Sequence, residues 1–269
     1  MYTPGVVVNK GLTIAISGKG GVGKTGLAAM LIKCLSKHGS VLAIDADADS
    51  NLPNALGIDE IKSVGEVREK IVYASTRSLD APDKSQAFEQ SLHELIVEGD
   101  DFDLLVMGRS EGEGCYCAIN TVLRRVIDYK ANNYDFTVID CEAGLEHLSR
   151  RTTRDVDIMI VVTDATVKGI LTAKRVKQLS AELCIDFGQL MVIANKVTDN
   201  IRSRVDQIAH DHSVEITSYI PFDATIAEYD SLGRPLTELP DDSPALLAAS
   251  DLCQMIISHL PQDSEQKLI

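Results

Sequence analysis

The 269-residue chain predicts an α/β fold, a single doubly wound and mainly parallel sheet flanked by helices. Three observations predict it. Short runs rich in Val, Ile and Leu recur without strict alternation, as strands buried on both faces do. Segments between them carry apolar residues at helical spacing. Strand and helix signals alternate from end to end, with no internal repeat and no low-complexity linker to divide them.

The apolar runs are LTIAIS (12–17), VLAID (41–45), LLVM (104–107), FTVID (136–140), IMIVVT (158–163), LMVIA (190–194) and EITSYI (215–220). Leu27, Met30, Leu31, Cys34 and Leu35 mark a helix after the first run, and Ile119, Val122, Leu123, Val126 and Ile127 mark another after the third. The stretch from 60 to 100, with Pro82 and mixed charge, reads as a helical excursion off the sheet. Ser243 and Pro244 supply an N-cap and a preset first turn for a last helix over Ala245 to His259. One domain over 1–269 is expected, with a flexible extension at 1–11 and a flexible tail at 261–269.

Composition narrows the function classes. A chain of this length buries roughly 70–75% of its unfolded surface, enough for a core without disulfide staples. With 26 Lys+Arg against 40 Asp+Glu, the formal charge of −14 repels phosphate backbones, and no basic run offsets it. Nucleic acid is therefore not expected as a partner. The start, MYTPGVVVNKG, lacks a basic region and a signal-peptide apolar stretch, and no segment approaches the ~20 apolar residues of a membrane span. A cytoplasmic protein with no membrane partner is expected. Six cysteines, at 34, 115, 117, 141, 184 and 253, are scattered except for one close pair. That pair suggests metal or redox chemistry before a structural disulfide.

The first run leads into Gly18-Lys19-Gly20-Gly21-Val22-Gly23-Lys24-Thr25 and then directly into a helix. This is G-x-x-x-x-G-K-[ST] between a strand and a helix, the phosphate loop of P-loop NTPases. Backbone amides of Gly20, Gly21, Val22, Gly23, Lys24, Thr25 and Gly26 are expected to surround phosphate oxygens, helped by the helix dipole. Lys24 is expected to reach the β/γ-phosphates and Thr25 to ligate Mg²⁺. A second lysine, Lys19, is not needed to hold one nucleotide. It is either an ordinary exposed lysine or a group that reaches a nucleotide on a two-fold partner.

Acids follow the second and fourth runs. Asp45-Ala46-Asp47-Ala48-Asp49 places three carboxylates where an open α/β sheet holds its ligand, unless they form only a solvated turn. Asp140, after FTVI, is a Walker B carboxylate by pattern, and Asp45, Asp47 and Asp140 are all expected to be Mg²⁺-linked together with Thr25. Cys141-Glu142-Ala143-Gly144 follows as a loop free to move with the γ-phosphate. Asn195-Lys196 and Pro221-Phe222-Asp223 close two later strands, either beside a base or as capped turns.

The pair Cys115-Tyr116-Cys117 precedes an amphipathic helix. Two thiolates hold a transition metal poorly, but a two-fold dimer brings four to one site, suited to Zn²⁺, Ni²⁺ or a cluster. Two buried apolar thiols or a redox pair are the competing readings.

The string KGGVGKT resembles the deviant Walker A loop of the MinD/ParA/nitrogenase-iron-protein ATPases, which dimerise around two ATP molecules. That resemblance implies the trans role for Lys19, a water-positioning role for Asp47, and adenine contacts from Asn195 and the Pro221–Asp223 loop. Ala143 stands where the nitrogenase iron protein carries a cluster-binding cysteine, which argues against that cluster. Together with EGEGCYC (111–117) and DCEAGLEHLSRRT (140–152), the loop resembles the CooC-type ATPases over most of the chain. It implies an ATP-hydrolysing metallochaperone that binds ATP or ADP with Mg²⁺ and forms a homodimer. It also implies Ni²⁺, or Zn²⁺ in vitro, at Cys115 and Cys117, and a nickel client, carbon monoxide dehydrogenase or acetyl-CoA synthase. The departures are Gly26 in place of a second Thr and Ala48 in place of Pro. A MinD- or ParA-like positioning ATPase and an iron–sulfur carrier are the alternatives.

Overall fold

The computed structural model describes residues 11–59, 61–64, 95–108, 133–142, 156–182 and 188–258. Seven strands form one sheet: β1 (Leu12–Gly18), β2 (Val41–Ala46), β3 (Asp103–Val106), β4 (Phe136–Cys141), β5 (Ile158–Thr163), β6 (Gln189–Val197) and β7 (Ser218–Pro221). Their order across the sheet is β3-β2-β4-β1-β5-β6-β7, and every pairing between them is parallel. The helices are α1 (Lys24–Leu35), α2 (Leu52–Leu56), α3 (Val167–Glu182), α4 (Asp199–Asp211), α5 (Ala224–Leu232) and α6 (Pro244–Ile257).

The continuous apolar runs form strands because both sheet faces are covered. All seven residues of β1 are buried. Ile14 and Ile16 join a core with Leu27 and Leu31 of α1 and Leu252 and Ile256 of α6. Ala15 points the other way, into a core with Met159 and Val161 of β5 and Ala173 and Val176 of α3. The chain leaves β1 toward β2 on one side and later returns to β5 on the other. The carboxyl end of β1 is thus the switch point where a doubly wound sheet opens its ligand crevice.

Two strand boundaries differ by more than one residue from those the sequence predicts. β6 runs on through Asn195 and Lys196 to Val197, with an irregular register between Ala194 and Val197 and Lys196 at φ 58°. β7 begins at Ser218 because the Thr217 hydroxyl accepts the Val192 amide at 3.1 Å, taking the place of a ladder carbonyl. Val214 and Ile216 instead turn into the core. Ser243 caps α6 as expected, accepting the Leu246 amide at 3.2 Å with Pro244 in the first turn. Most of the predicted excursion lies outside the described residues, but its described ends sit against β3. Ser63 bridges Val106 in parallel, and Val97 bridges Leu104 antiparallel. The helix predicted at 119–127 also lies outside them. Among the described residues, no helix is long and apolar enough to cross a membrane.

Candidate functional site: a glycine loop over buried carboxylates

The loop from Gly18 to Thr25 leaves β1 and enters α1. Gly18, Gly21 and Gly23 have φ of 150°, 79° and 92°, values that favour glycine. At two of them close contact adds to the requirement. A Cβ on Gly18 would lie 2.3 Å from the Val162 oxygen, and one on Gly23 would lie 2.4 Å from Asn195 Nδ2. Lys19, Gly20 and Gly21 are exposed, whereas Val22 and Lys24 are buried. The stretch therefore presents an open loop whose far end is anchored. Gly26 belongs to the packed side, since a Cβ there would touch Leu236 Cδ1 at 3.4 Å.

Below the loop, the Thr25 hydroxyl donates to Asp140 Oδ2 at 2.6 Å. Asp140 is 1% exposed, and its other oxygen, Oδ1, is buried without a hydrogen bond. Burial pushes the Asp140 carboxyl up to about 6, against the Thr25 hydrogen bond and the Lys24 charge. An orphaned buried carboxylate oxygen beside a hydroxyl is oxygen chemistry that fits a hydrated cation. Divalent metal is the chemistry that satisfies it.

Asp45 sits level with Asp140 in the β2/β4 register and is wholly buried. Its Oδ1 accepts the Asp47 amide and its Oδ2 accepts the Leu52 amide, each at 3.0 Å. Burial pushes it up to about 7, against those two hydrogen bonds, with Asp140 and Asp47 adding to the rise. Asp47 begins a turn closed by the Ser50 amide on its carbonyl at 3.1 Å, while its Oδ1 accepts the Asp49 amide at 3.0 Å. The turn thus forms with Ala48 in place of proline.

Asn195 and Lys196 reach back to the loop. Asn195 Nδ2 donates to the Val22 carbonyl at 2.9 Å, its Oδ1 accepts the Lys196 amide at 2.9 Å, and Lys196 Nζ donates to the Gly21 carbonyl at 3.4 Å. The structure therefore uses the Asn195 carboxamide as a brace for the loop. The sequence read this residue as a base contact or a capped turn, and nothing in the local pattern pointed to a loop 173 positions earlier. Pro221 is half-buried and Phe222 is 54% exposed. Asp223 caps α5 by accepting the Thr225 amide at 2.9 Å, and its Oδ2 accepts the Ser243 hydroxyl at 2.6 Å and the Ala245 amide at 3.4 Å. Burial raises the Asp223 carboxyl, but these hydrogen bonds outweigh it and hold the group below its usual value. The sequence assigned Ser243 to α6 alone and missed this link.

Cys115, Cys117, Ala143 and Gly144 lie outside the described residues, as does Cys184. Among the described residues, no group of three or more His, Cys, Asp or Glu is arranged to hold a metal ion. Cys34, Cys141 and Cys253 are buried free thiols, with 34 and 253 packed in the same core cluster. Burial, then the Asp140 charge, pushes the Cys141 thiol up to about 12, so it stays protonated at neutral pH.

The loop, Lys24, Thr25 and Asp140 fit a polyphosphate with its divalent cation. The amides and the helix N-terminus would attract the phosphates, and Thr25 and Asp140 would hold the cation that neutralises their charge. Comparison with known proteins agrees. Residues 13–236 match the CobQ/CobB/MinD/ParA nucleotide binding domain. The chain is 45% identical over 251 residues to an uncharacterised ATP-binding protein of Methanocaldococcus jannaschii, covering 92% of this chain and 99% of that one. It is 30% identical over 263 residues to the carbon monoxide dehydrogenase accessory protein CooC of Rhodospirillum rubrum, covering 88% and 95%. In fold it is similar to a ParA family ATPase from Chlorobium tepidum, with a TM-score of 0.71 and 20% identity over 91% of this chain and 98% of that one. By its sequence match and its loop geometry, the chain belongs to the CobQ/CobB/MinD/ParA nucleotide-binding family.

Proposed function

We propose that this protein is an ATP-hydrolysing metallochaperone of the CooC type, which couples an ATP-dependent homodimer to Ni²⁺ carriage. One observation supports the nucleotide half above all. The Thr25 hydroxyl sits 2.6 Å from a buried carboxylate, Asp140, that has an oxygen to spare. Bound Mg²⁺ neutralises phosphate charge there. Lys24 and the amides of Gly20 to Gly26 hold the phosphates, Asp47 orients the attacking water, and Lys19 reaches the partner's nucleotide across the two-fold. Asn195, Lys196, Pro221, Phe222 and Asp223 end β6 and β7 on the same edge of the sheet as the loop, the side on which a base would lie.

The metal half rests on Cys115-x-Cys117 and on the likeness to the CooC protein over most of both chains. Ni²⁺ is cargo here, held by four thiolates at the two-fold and delivered to a carbon monoxide dehydrogenase or acetyl-CoA synthase. Because one two-fold serves both sites, metal affinity and nucleotide state are linked reciprocally. The test is anaerobic Ni²⁺ or Zn²⁺ binding by Cys115→Ser and Cys117→Ser. Each variant should lose stoichiometric metal while keeping ATP binding. Full metal retention by either one contradicts the assignment.

A further inference from the structure

We propose that Asp45 is a positioning residue of the nucleotide switch, acting on Asp47 through its backbone and not as a ligand of the cation. The proposal rests on the reading of Asp47 as the residue that orients water.

Asp45 ends the buried part of β2 and is held on three sides. It pairs in register with Val106 of β3 and Asp140 of β4, and its own carbonyl accepts the Met107 amide at 2.9 Å. Its backbone is therefore fixed. A carboxylate with no exposed surface needs donors, and the structure supplies two, both backbone amides. Oδ1 takes the amide of Asp47 and Oδ2 takes that of Leu52, each at 3.0 Å. The turn between them is short and strained, with Ser50 in the left-handed region at φ 49°. Both ends of this turn hang from one side chain.

Among the described residues, the leading charged groups that act on Asp45 are Asp140 and Asp47, both acids. Lys24 acts on Asp140 instead. The division of labour follows. Asp140, with its spare oxygen and its hydroxyl partner, faces the cation, whereas both oxygens of Asp45 are committed to the turn that carries Asp47. Misplacing a water-orienting group by about 1 Å can cost ~100-fold in rate, so a clamp on its backbone matters to turnover without touching substrate.

Asp45→Asn keeps the shape but turns one acceptor into a donor facing an amide N–H. We expect the folded variant to keep its ATP KM and its Mg²⁺ half-saturation within about threefold while kcat falls ~10–100-fold. By residue-resolved hydrogen exchange, the Asp47 and Leu52 amides should be slower than that of Ala48 in the wild type, and at least one should speed up in the variant. A raised Mg²⁺ half-saturation with wild-type kcat at saturating Mg²⁺ would make Asp45 a ligand and overturn the proposal. Unprotected Asp47 and Leu52 amides in the wild type would overturn it even if the variant does not fold. Absence of wild-type ATP turnover would refute the hydrolysis reading alone, and the exchange data would still decide on the clamp.

Discussion

Thr25 Oγ1 donates to Asp140 Oδ2 at 2.6 Å, joining the first turn of α1 to the end of β4 across 115 residues of sequence. The phosphate loop is thereby tied directly to its acid. Removing the hydroxyl should be felt through the cation. Thr25→Ala is expected to lose at least about tenfold of the Mg²⁺-dependent gain in nucleotide affinity, about 1.4 kcal/mol, as for one hydrogen bond to a charged group. Thr25→Ser should stay within about threefold. Nucleotide titration with and without Mg²⁺ measures both.

The buried acids tie ligand binding to protons. Burial raises Asp45 to about 7 and Asp140 to about 6, from an ordinary value of 3.8. The folded values are raised, so the stabilising contribution of the protonated forms is complete below pH ~4 and is lost as pH rises through 6 to 7. A bound cation favours the charged forms. Mg²⁺–ADP binding near pH 6.5 should therefore release protons, read as a dependence of calorimetric enthalpy on buffer ionisation heat. Asp140→Asn should reduce the release.

Gly23 and Gly233 both have positive φ, 92° and 64°, but only Gly23 is crowded. Gly233→Ala should cost about 1–2 kcal/mol of stability and leave nucleotide affinity unchanged. In Gly23→Ala the new Cβ meets Asn195 Nδ2, so the brace must move and nucleotide binding should fall by tenfold or more. Thermal melts beside nucleotide titrations separate the two effects.

Asp223 joins the starts of α5 and α6. Its carboxyl is held below the usual value, so its contribution is fully present above the unfolded value and is lost as pH falls through the lower folded one. Asp223→Ala should cost about 2 kcal/mol near neutral pH, since each lost cap is worth about 1 kcal/mol. For a chain of this size, that is a drop of several degrees in Tm. The gap between variant and wild type should narrow below pH ~4 in acid-unfolding curves.

Much of the fold could be read from the chain. Runs apolar on both faces marked the sheet because parallel strands have no wet side, and Gly18 to Thr25 named its own chemistry through its spacing. Side-chain partners at a distance were less legible. A polar residue at a strand end reads locally as a cap, so the Asn195 tie to Val22 and the Asp45 hold on Asp47 and Leu52 emerge only when the strands are laid side by side. The start of β7 was misplaced for a related reason, because one threonine hydroxyl displaced a backbone bond. Thr25 and Asp140 needed no such help, as their motifs specify the partner as well as the residue.

In the proposed function, nucleotide state and metal carriage share one dimer. Anaerobic Ni²⁺ titration of the full chain, with mass-resolved sizing in ADP and in ATP, tests it most directly. One Ni²⁺ per two chains is expected, with an affinity that differs at least about fivefold between the two nucleotides. One Ni²⁺ per chain with no dependence on nucleotide, or no binding at all, would contradict it.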